Sequence, residues 1–302
     1  MTSGDPVGST AGLWRFPVKS MLGERADALE LTARGFVGDR AYGLIDSGTG
    51  KVVSAKSVRH FPEMLGYRAA FVEPPRLGGE LPPVRISRRD GTSVTSDAAE
   101  CDAVLSGWLG RDVRLESVAP EDFTIDQYHL DVEGMDPAGH RDTIVEQKLG
   151  SAAFAELGIP SPVPVGAFFD AFPVTVLTTS TLARLHQLSP GSRFDERRFR
   201  MNVIVETEGE GFLENGWVGR ALALGDSVRL RVAMPDPRCV MTTLAQEDLP
   251  RDNDVLRTLT RHNRLDVGGG RLPCAGVFAV VETPGTVRTG DAVHLTPNSR
   301  DR

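Results

Sequence analysis

The sequence contains few metal-binding or disulfide-forming residues, with 3 cysteines and 6 histidines in 302 residues. Cys101, Cys239 and Cys274 are too few and too scattered for a disulfide framework, and their spacing does not indicate a zinc site. No apolar run is long enough to span a bilayer, and the first residues have neither the basic start nor the apolar stretch of a signal peptide. We therefore expect a reduced, cytoplasmic protein that does not insert into membranes.

The chain also lacks positive charge and several nucleotide or hydrolase motifs. Its net charge of −7 offers no general attraction for nucleic acid or an anionic membrane. It has no Gly-x-Ser-x-Gly, Gly-x-Gly-x-x-Gly or Walker lysine motif, which argues against an α/β-hydrolase, a dinucleotide fold and a P-loop enzyme. Its 40% hydrophobic and 25% charged residues are typical of a soluble globular protein.

Short apolar and β-branched segments recur along the chain, separated by Gly, Pro and Asp, and predict a mixed, mainly β (α+β) fold. A hairpin is predicted where residues 40–46 and 51–54 flank a Gly-rich turn. Helical spacing predicts peripheral helices over residues 98–109, 149–157, 182–188 and 251–262. The predicted organisation is a first domain at 10–118, a connecting segment at 119–170 and a second domain at 171–298.

Cys239 is the first candidate for chemistry. It follows a predicted strand and a stiff Pro-Asp-Pro stretch, and Arg238 stands directly before it. A neighbouring arginine favours the thiolate, which is the soft ligand that a redox transition metal prefers. A lone cysteine is more often a small buried hydrophobic residue, so the local sequence leaves both interpretations open.

Several basic and hydroxyl-bearing residues offer binding groups for an anion. The turn Thr178-Thr179-Ser180 opens a helix, where hydroxyls either cap the helix or help its first N–H groups bind a phosphate. Three arginines precede Asn202 and a strand, where they either bind an oxyanion or protect a sheet edge. Lys19 follows one strand and Arg40 opens another. Taken together with Cys239, these groups predict one site for a metal carried on a phosphorylated organic ligand.

These motifs resemble a known family. The stretch LWRFPVKSMLGERADALELTARGFVGDRAYGLID resembles the N-terminal β-barrel domain that precedes MOSC domains. The stretches RRFRMNVIVE, FLENGWVGRALALGD, RCVMTT and VFAVVETPGTVRTGDAVHL look like the MOSC domain itself. The resemblance implies a MOSC β-barrel with peripheral helices, a β-barrel-like domain before it, and a cofactor in the cleft between them.

The resemblance also implies a set of site residues. In the reductases of this family, a cysteine in an Arg-Cys-hydrophobic-hydrophobic-Thr-Thr motif coordinates molybdenum, and Cys239 stands at that place with Arg238 beside it. A pattern Asp-x-x-Pro matches Asp170-Ala-Phe-Pro173, while Pro237 stands where a hydroxyl is often found. The residues implied around the molybdopterin and its phosphate are Lys19, Arg40, Thr178, Thr179, Ser180, Arg200 and Asn202.

The function implied by the resemblance is that of a molybdenum-dependent oxidoreductase. It would reduce the N–O bond of N-hydroxylated small molecules by oxygen-atom transfer, as the mitochondrial amidoxime reducing component and its bacterial relatives do. Because the scattered cysteines cannot hold an iron–sulfur cluster, a separate ferredoxin-, flavin- or cytochrome-type protein would supply electrons. The alternatives are a molybdenum cofactor or sulfur carrier without its own turnover, and a pocket for another anionic ligand.

Overall fold

The computed structural model describes residues 4–296, so the last two residues of the predicted second domain, 297 and 298, lie outside the described residues. The helices are α1 (Cys101–Leu109), α2 (Gly150–Glu156), α3 (Thr179–Leu188) and α4 (Asp254–His262). The strands are β1 (Asp5–Arg15), β2 (Glu24–Ala26), β3 (Ala28–Thr32), β4 (Gly35–Phe36), β5 (Gly43–Asp46), β6 (Arg68–Phe71), β7 (Val84–Ser87), β8 (Ser93–Thr95), β9 (Val113–Glu116), β10 (Thr124–His129), β11 (Thr143–Lys148), β12 (Val174–Thr178), β13 (Val203–Glu206), β14 (Ala221–Leu224), β15 (Val228–Pro237), β16 (Arg264–Val267), β17 (Gly270–Thr283), β18 (Gly285–Arg288) and β19 (Ala292–Thr296). The predicted mainly β fold with peripheral helices is confirmed.

A closed barrel forms the centre of the second half. Its seven strands pair in the order β12, β13, β1, β19, β14, β15 and β17, and β17 pairs back with β12. Along β15, Val228, Leu230 and Val232 are buried, whereas Arg229 and Arg231 between them are more exposed. This alternation with a period of two fills the barrel with aliphatic side chains and leaves polar groups outside. Closure also removes free sheet edges.

The first strand belongs to this barrel, although it begins the chain. β1 pairs with β13 on one side and with β19 on the other. The chain then leaves the barrel at Phe16 and enters the first half of the molecule. Residues 16–20 therefore lie where the two halves meet. The division between the domains at residue 118 stays a prediction.

The first half contains a three-stranded sheet of β6, β7 and β8, the pair β5 and β9, and helix α1. The predicted hairpin forms only in part: Val52 makes a single bridge to Ile45, and β5 takes β9 as its ladder partner instead. The apolar core of this half also includes Val240 and Leu244 from the turn after Cys239. The segment that follows Cys239 is thus packed between the two halves.

The connecting segment is more regular than the sequence indicates. β10 and β11 form an antiparallel hairpin with six residue pairs, and the predicted helix is present as α2. Phe123, Ile125 and Leu149 pack against Ile45 and Val52 of the first half. The segment is therefore part of the folded core. Among the described residues, no helix is long and apolar enough to cross a membrane.

Candidate cofactor site

Cys239 lies two residues beyond the end of β15 and begins a short 3-10 turn, Val240–Thr243. Its carbonyl oxygen accepts hydrogen bonds from the amide (3.2 Å) and the hydroxyl (3.0 Å) of Thr242, which fixes the turn. Cys239 is partly exposed, whereas Cys101 and Cys274 are buried. Burial raises the pKa of Cys101 to about 11 and that of Cys274 to about 12, so neither is a thiolate near neutral pH. Cys239 is therefore the cysteine best placed to bind a ligand.

Two guanidinium groups lie on the same aromatic ring. The Cζ atoms of Arg40 and Arg200 are 4.3 Å and 4.4 Å from the centre of the Phe16 ring. Burial lowers the pKa of Arg200 to about 9, and the neighbouring charge of Arg40 adds to the lowering. Two like charges held this closely are stabilised by the ring and by any anion that binds between them.

The buried carboxylate of Asp39 holds Arg40 and the backbone of Phe16 in place. Asp39 accepts hydrogen bonds from the amide of Phe16 (2.7 Å), from Arg40 Nη1 (2.6 Å) and from Asn202 Nδ2 (2.9 Å). Asn202 also accepts from the amide and hydroxyl of Thr175 through its Oδ1. Asn202 thus serves as a positioning residue between the barrel and Asp39.

A second group of charges centres on Asp170. The ammonium group of Lys19 hydrogen-bonds to Asp170 Oδ1, and the Lys56 Nζ atom lies 2.8 Å from Asp170 Oδ2. Burial alone would raise the pKa of Asp170, but the two lysines hold it well below its usual range. Burial lowers the pKa of Lys19 to about 8, against the opposing charge of Asp170.

Lys56 links this group to the cysteine. Burial would lower its pKa, but the charges of Asp170 and then of Cys239 outweigh burial and raise it. Lys56 therefore belongs to the same site as Cys239.

Arg238 and Asp236 lie on either side of Pro237. Arg238 donates to Asp236 Oδ2 (2.5 Å) and to the carbonyl of Phe199 (2.5 Å). Burial raises the pKa of Asp236 to about 6, despite the opposing charge of Arg238. Within the described residues, the buried Nε of Arg238 has no hydrogen-bond partner. This donor remains free to bind a ligand, because a buried N–H group normally has a partner.

Backbone strain is concentrated at the same place. Ser20, Arg40 and Arg200 have φ angles of 65°, 51° and 56°, in the left-handed region that non-glycine residues seldom adopt. Each such residue costs roughly 1–2 kcal/mol. Strain of this kind persists where the surrounding structure over-determines it, and it clusters at functional sites. The strain supports a binding role for this cluster.

The hydroxyl groups of the turn that opens α3 make hydrogen bonds within the protein. Thr178 donates to Glu214 Oε2 (2.6 Å) and hydrogen-bonds to Ser180 (2.9 Å), while the hydroxyl of Thr179 accepts from the amide of Thr207. The carboxylate of Glu214 therefore lies beside the start of α3. These three hydroxyls are engaged within the protein, and their role as cofactor ligands stays a prediction.

The sequence did not predict Lys56 or Asp236 as site residues, nor that Asp170 pairs with two lysines. One signal was present for Lys56: an apolar residue followed by Lys-Ser occurs both at Val18-Lys19-Ser20 and at Ala55-Lys56-Ser57. Asp170 entered only through the pattern Asp-x-x-Pro. No local signal indicates Asp236, because only burial distinguishes it from other aspartates.

The site as a whole suits a metal held on a phosphorylated ligand. Five cationic side chains face three carboxylates in a buried setting, with one accessible thiol among them. The cations are Lys19, Lys56, Arg40, Arg200 and Arg238, and the carboxylates are Asp39, Asp170 and Asp236. A soft sulfur ligand, surplus positive charge and the free Arg238 Nε together fit a molybdopterin-type cofactor.

Comparisons with known proteins identify two domains in the chain. The family model for the MOSC domain matches residues 164–294, and that for the MOSC N-terminal beta barrel domain matches residues 7–107. The mitochondrial amidoxime-reducing component 1 of Mus musculus is 26% identical over 313 residues, which cover 96% of this chain and 82% of the relative. The Homo sapiens protein of the same name is 25% identical over 321 residues, which cover 96% and 83%.

A solved structure, that of the YUAD protein from Bacillus subtilis, covers 97% of both chains at 12% identity and a TM-score of 0.43. That likeness is too remote to add to the argument. The two family models together span most of the chain. The chain thus belongs to the MOSC-domain proteins that have an N-terminal MOSC β-barrel domain, and it is similar over most of its length to the mitochondrial amidoxime-reducing components.

Proposed function

We propose that this protein is a molybdenum cofactor-dependent oxidoreductase that reduces N-hydroxylated small molecules. The observation on which the proposal rests is the partly exposed Cys239 within a buried cluster of surplus positive charge. The names of the similar proteins, amidoxime-reducing components, support this substrate class. MOSC domains are associated with the molybdenum cofactor, and the donor set around Cys239 suits it.

Each part of the site has a task in this proposal. Cys239 would bind the metal through its thiolate, and Arg238 would donate its free Nε to the cofactor. Arg40 and Arg200, held on the Phe16 ring, would bind the phosphate group by paired N–H donors. When bound, the molybdenum cofactor supplies two-electron oxygen-atom transfer, and the protein binds and orients the reactants.

The proposed reaction balances with two electrons and two protons. The N–O bond of the substrate breaks, an N–H bond forms, and the oxygen leaves as water. Lys19 Nζ, with a pKa of about 8, exchanges a proton readily near neutral pH and shares Asp170 with Lys56. These lysines would hold protons close to the departing oxygen and neutralise the charge that develops there.

The electrons would come from a separate donor protein of the ferredoxin, flavin or cytochrome type. All three cysteines are free, two of them are buried, and one is assigned to the cofactor, so the chain offers no ligand set for an iron–sulfur cluster. Free cysteines also favour a reducing compartment, and we place the protein in the cytoplasm. No role in binding nucleic acid or membranes is proposed.

The test is reduction of an amidoxime and of a hydroxylamine by cofactor-loaded protein, with a chemically reduced viologen dye as electron donor. The parent protein is expected to turn over, and Arg200→Ala is expected to lose at least about tenfold in kcat/KM, equal to roughly 1.4 kcal/mol of transition-state binding. The matched control is Arg197→Ala, because Arg197 pairs with Asp195 and Asp248 outside the cluster.

Two other outcomes would contradict the proposal in different ways. Cofactor-loaded protein without turnover on either substrate would favour the carrier function. Protein that takes up no cofactor in a host that makes it would favour a different anionic ligand for the Arg40 and Arg200 pair.

A further inference from the structure

Two histidines and an aspartate converge in the connecting segment, away from the residues assigned to the cofactor. His129 ends β10, and Asp136 and His140 lie in the loop that joins β10 to β11. One ligand atom from each of the three residues lies within 4.8 Å of the other two. Among the described residues 4–296, no other group of three such side chains comes as close.

The aspartate is fixed in position by the backbone of its own loop. Asp136 Oδ1 accepts a hydrogen bond from the amide of Ala138, and Oδ2 accepts one from the amide of His140, both at 3.1 Å. The same Oδ2 lies 2.5 Å from His140 Nδ1 and 3.4 Å from His129 Nδ1. The carboxylate oxygen therefore faces one nitrogen from each ring.

His129 supplies an independent indication of a ligand. Its Nδ1 is buried and, among the described residues, has no partner in hydrogen-bonding geometry. A buried polar atom of this kind costs free energy unless another group satisfies it. The side chain is only 12% exposed, so bulk water does not reach it freely. The nitrogen faces Asp136 and the His140 ring, whose centre is 5.1 Å from that of His129.

We propose that His129 Nδ1, Asp136 Oδ2 and His140 Nδ1 bind one divalent transition metal ion of the zinc type. Two imidazoles and one carboxylate suit zinc, cobalt or nickel better than magnesium or calcium, which prefer oxygen ligands. Zinc binds nitrogen and carboxylate oxygen at about 2.0–2.2 Å, so its ligand atoms lie roughly 3.3 Å apart in a tetrahedron. The 3.4 Å between His129 Nδ1 and Asp136 Oδ2 matches this spacing. His140 Nδ1 now hydrogen-bonds to the same oxygen at 2.5 Å, so on binding the ion it would give up any proton it shares with Asp136 and move away by roughly 0.8 Å.

Three protein ligands leave the fourth position of a tetrahedral ion open. The side chain of His140 is 41% exposed, so solvent or a small anion reaches the ion from that side. An open position is typical of zinc sites that bind water or substrate, whereas structural sites have four protein ligands. The ion would also tie the loop to β10, whose Tyr128 amide donates to the Lys56 carbonyl at 2.9 Å. Metal binding would thereby brace the backbone that presents Lys56.

The test is titration of chelator-treated full-length protein with Co²⁺, whose visible absorption reports coordination by nitrogen and oxygen ligands. The titration is made in a Cys239→Ala background, so that the accessible thiol contributes nothing. Both His140→Gln and Asp136→Asn are compared with His60→Gln. His60 is a matched control because it lies 3.5 Å from Asp126 as a single histidine beside a carboxylate.

One Co²⁺ per chain is expected in the background protein and in His60→Gln, with at least tenfold weaker binding in His140→Gln and Asp136→Asn. Bound metal should also raise the melting temperature in the first two proteins only. His140 is half-exposed, so its variant is expected to melt normally without metal, which separates lost ligation from lost folding. Binding below one ion per chain in the background protein, or equal affinity in all four proteins, would show that the three side chains form only a hydrogen-bonded cluster.

Discussion

Replacing Asp170 with asparagine removes the one carboxylate that both lysines of the site share. The Lys19 and Lys56 side chains are 5% and 10% exposed, and that of Asp170 is 35% exposed. Breaking a fully buried ion pair costs about 3–5 kcal/mol because a charge is left uncompensated. Since water reaches Asp170 in part, we expect Asp170→Asn to lower the free energy of unfolding of the cofactor-free protein by about 2–3 kcal/mol.

The loss should depend on pH in a defined direction. The pKa of Lys19 is lowered from 10.5 to about 8 by burial. Below about pH 8 the buried charge of Lys19 therefore lowers the free energy of unfolding by its full penalty. The penalty fades as pH rises from about 8 towards 10.5, because the folded protein has then released the proton. Without Asp170 the pKa of Lys19 falls further, so the deficit of the variant should be larger at pH 7 than at pH 9.

Urea unfolding at both pH values measures this effect as a shift of the midpoint at constant slope. The control is Asp126→Asn, since Lys51 keeps a second carboxylate, Glu146, at 2.7 Å. We expect a loss below about 1 kcal/mol in the control. Equal losses at Asp170 and Asp126, or a loss that does not change between pH 7 and pH 9, would refute the reasoning.

Three further changes test the packing around the site, each by urea unfolding. Arg198 is 1% exposed and donates to four backbone carbonyls, including those of Thr242 and Leu244 after the cysteine. Arg198→Met should therefore lower the free energy of unfolding by about 3 kcal/mol. A loss below about 1 kcal/mol would contradict that role. Gly276 and Gly139 both have a φ of 79°, but an added Cβ would meet a backbone oxygen at 2.6 Å only at Gly276, so Gly276→Ala should cost at least about 2 kcal/mol more than Gly139→Ala. Burial raises the pKa of Glu214. The free energy of unfolding of the parent should therefore fall relative to that of Glu214→Gln as pH rises from 4.5 to 7. A difference between the two proteins that does not change with pH would contradict this.

Much of the fold follows from local patterns. Alternation of apolar and polar residues predicts strands such as β15, and helical spacing predicts α4. The partner of β5 could not be predicted in the same way. Its ladder goes to β9, about 70 positions later, and such long-range pairing depends on the packing of the whole first half. β10 and β11 were missed because their sequences, TIDQYH and TIVEQK, are half-buried and polar.

The candidate site was predictable in its residue types more than in its geometry. Lys19, Arg40 and Arg200 each stand at the edge of a strand pattern, and the structure brings them into one charged network. Asp236 could not be found from the sequence, since its pKa is raised mainly by burial and also by the charge of Asp170, both of which depend on the folded structure. At the start of α3, the hydroxyls suggested anion binding, but Glu214 from 36 positions further along accepts the hydrogen bond of Thr178.

The most direct test of the account is the molybdenum and pterin content per chain, measured on protein made in a host that synthesises the cofactor. The parent and the matched variant Cys101→Ala should each contain close to one molybdenum and one pterin, because Cys101 is buried in the first half of the molecule. Cys239→Ser should lose most of the metal or show altered sulfur coordination by X-ray absorption. A parent without molybdenum and pterin, or a Cys239→Ser variant with unchanged content and coordination, would contradict the assignment of Cys239 as the metal ligand.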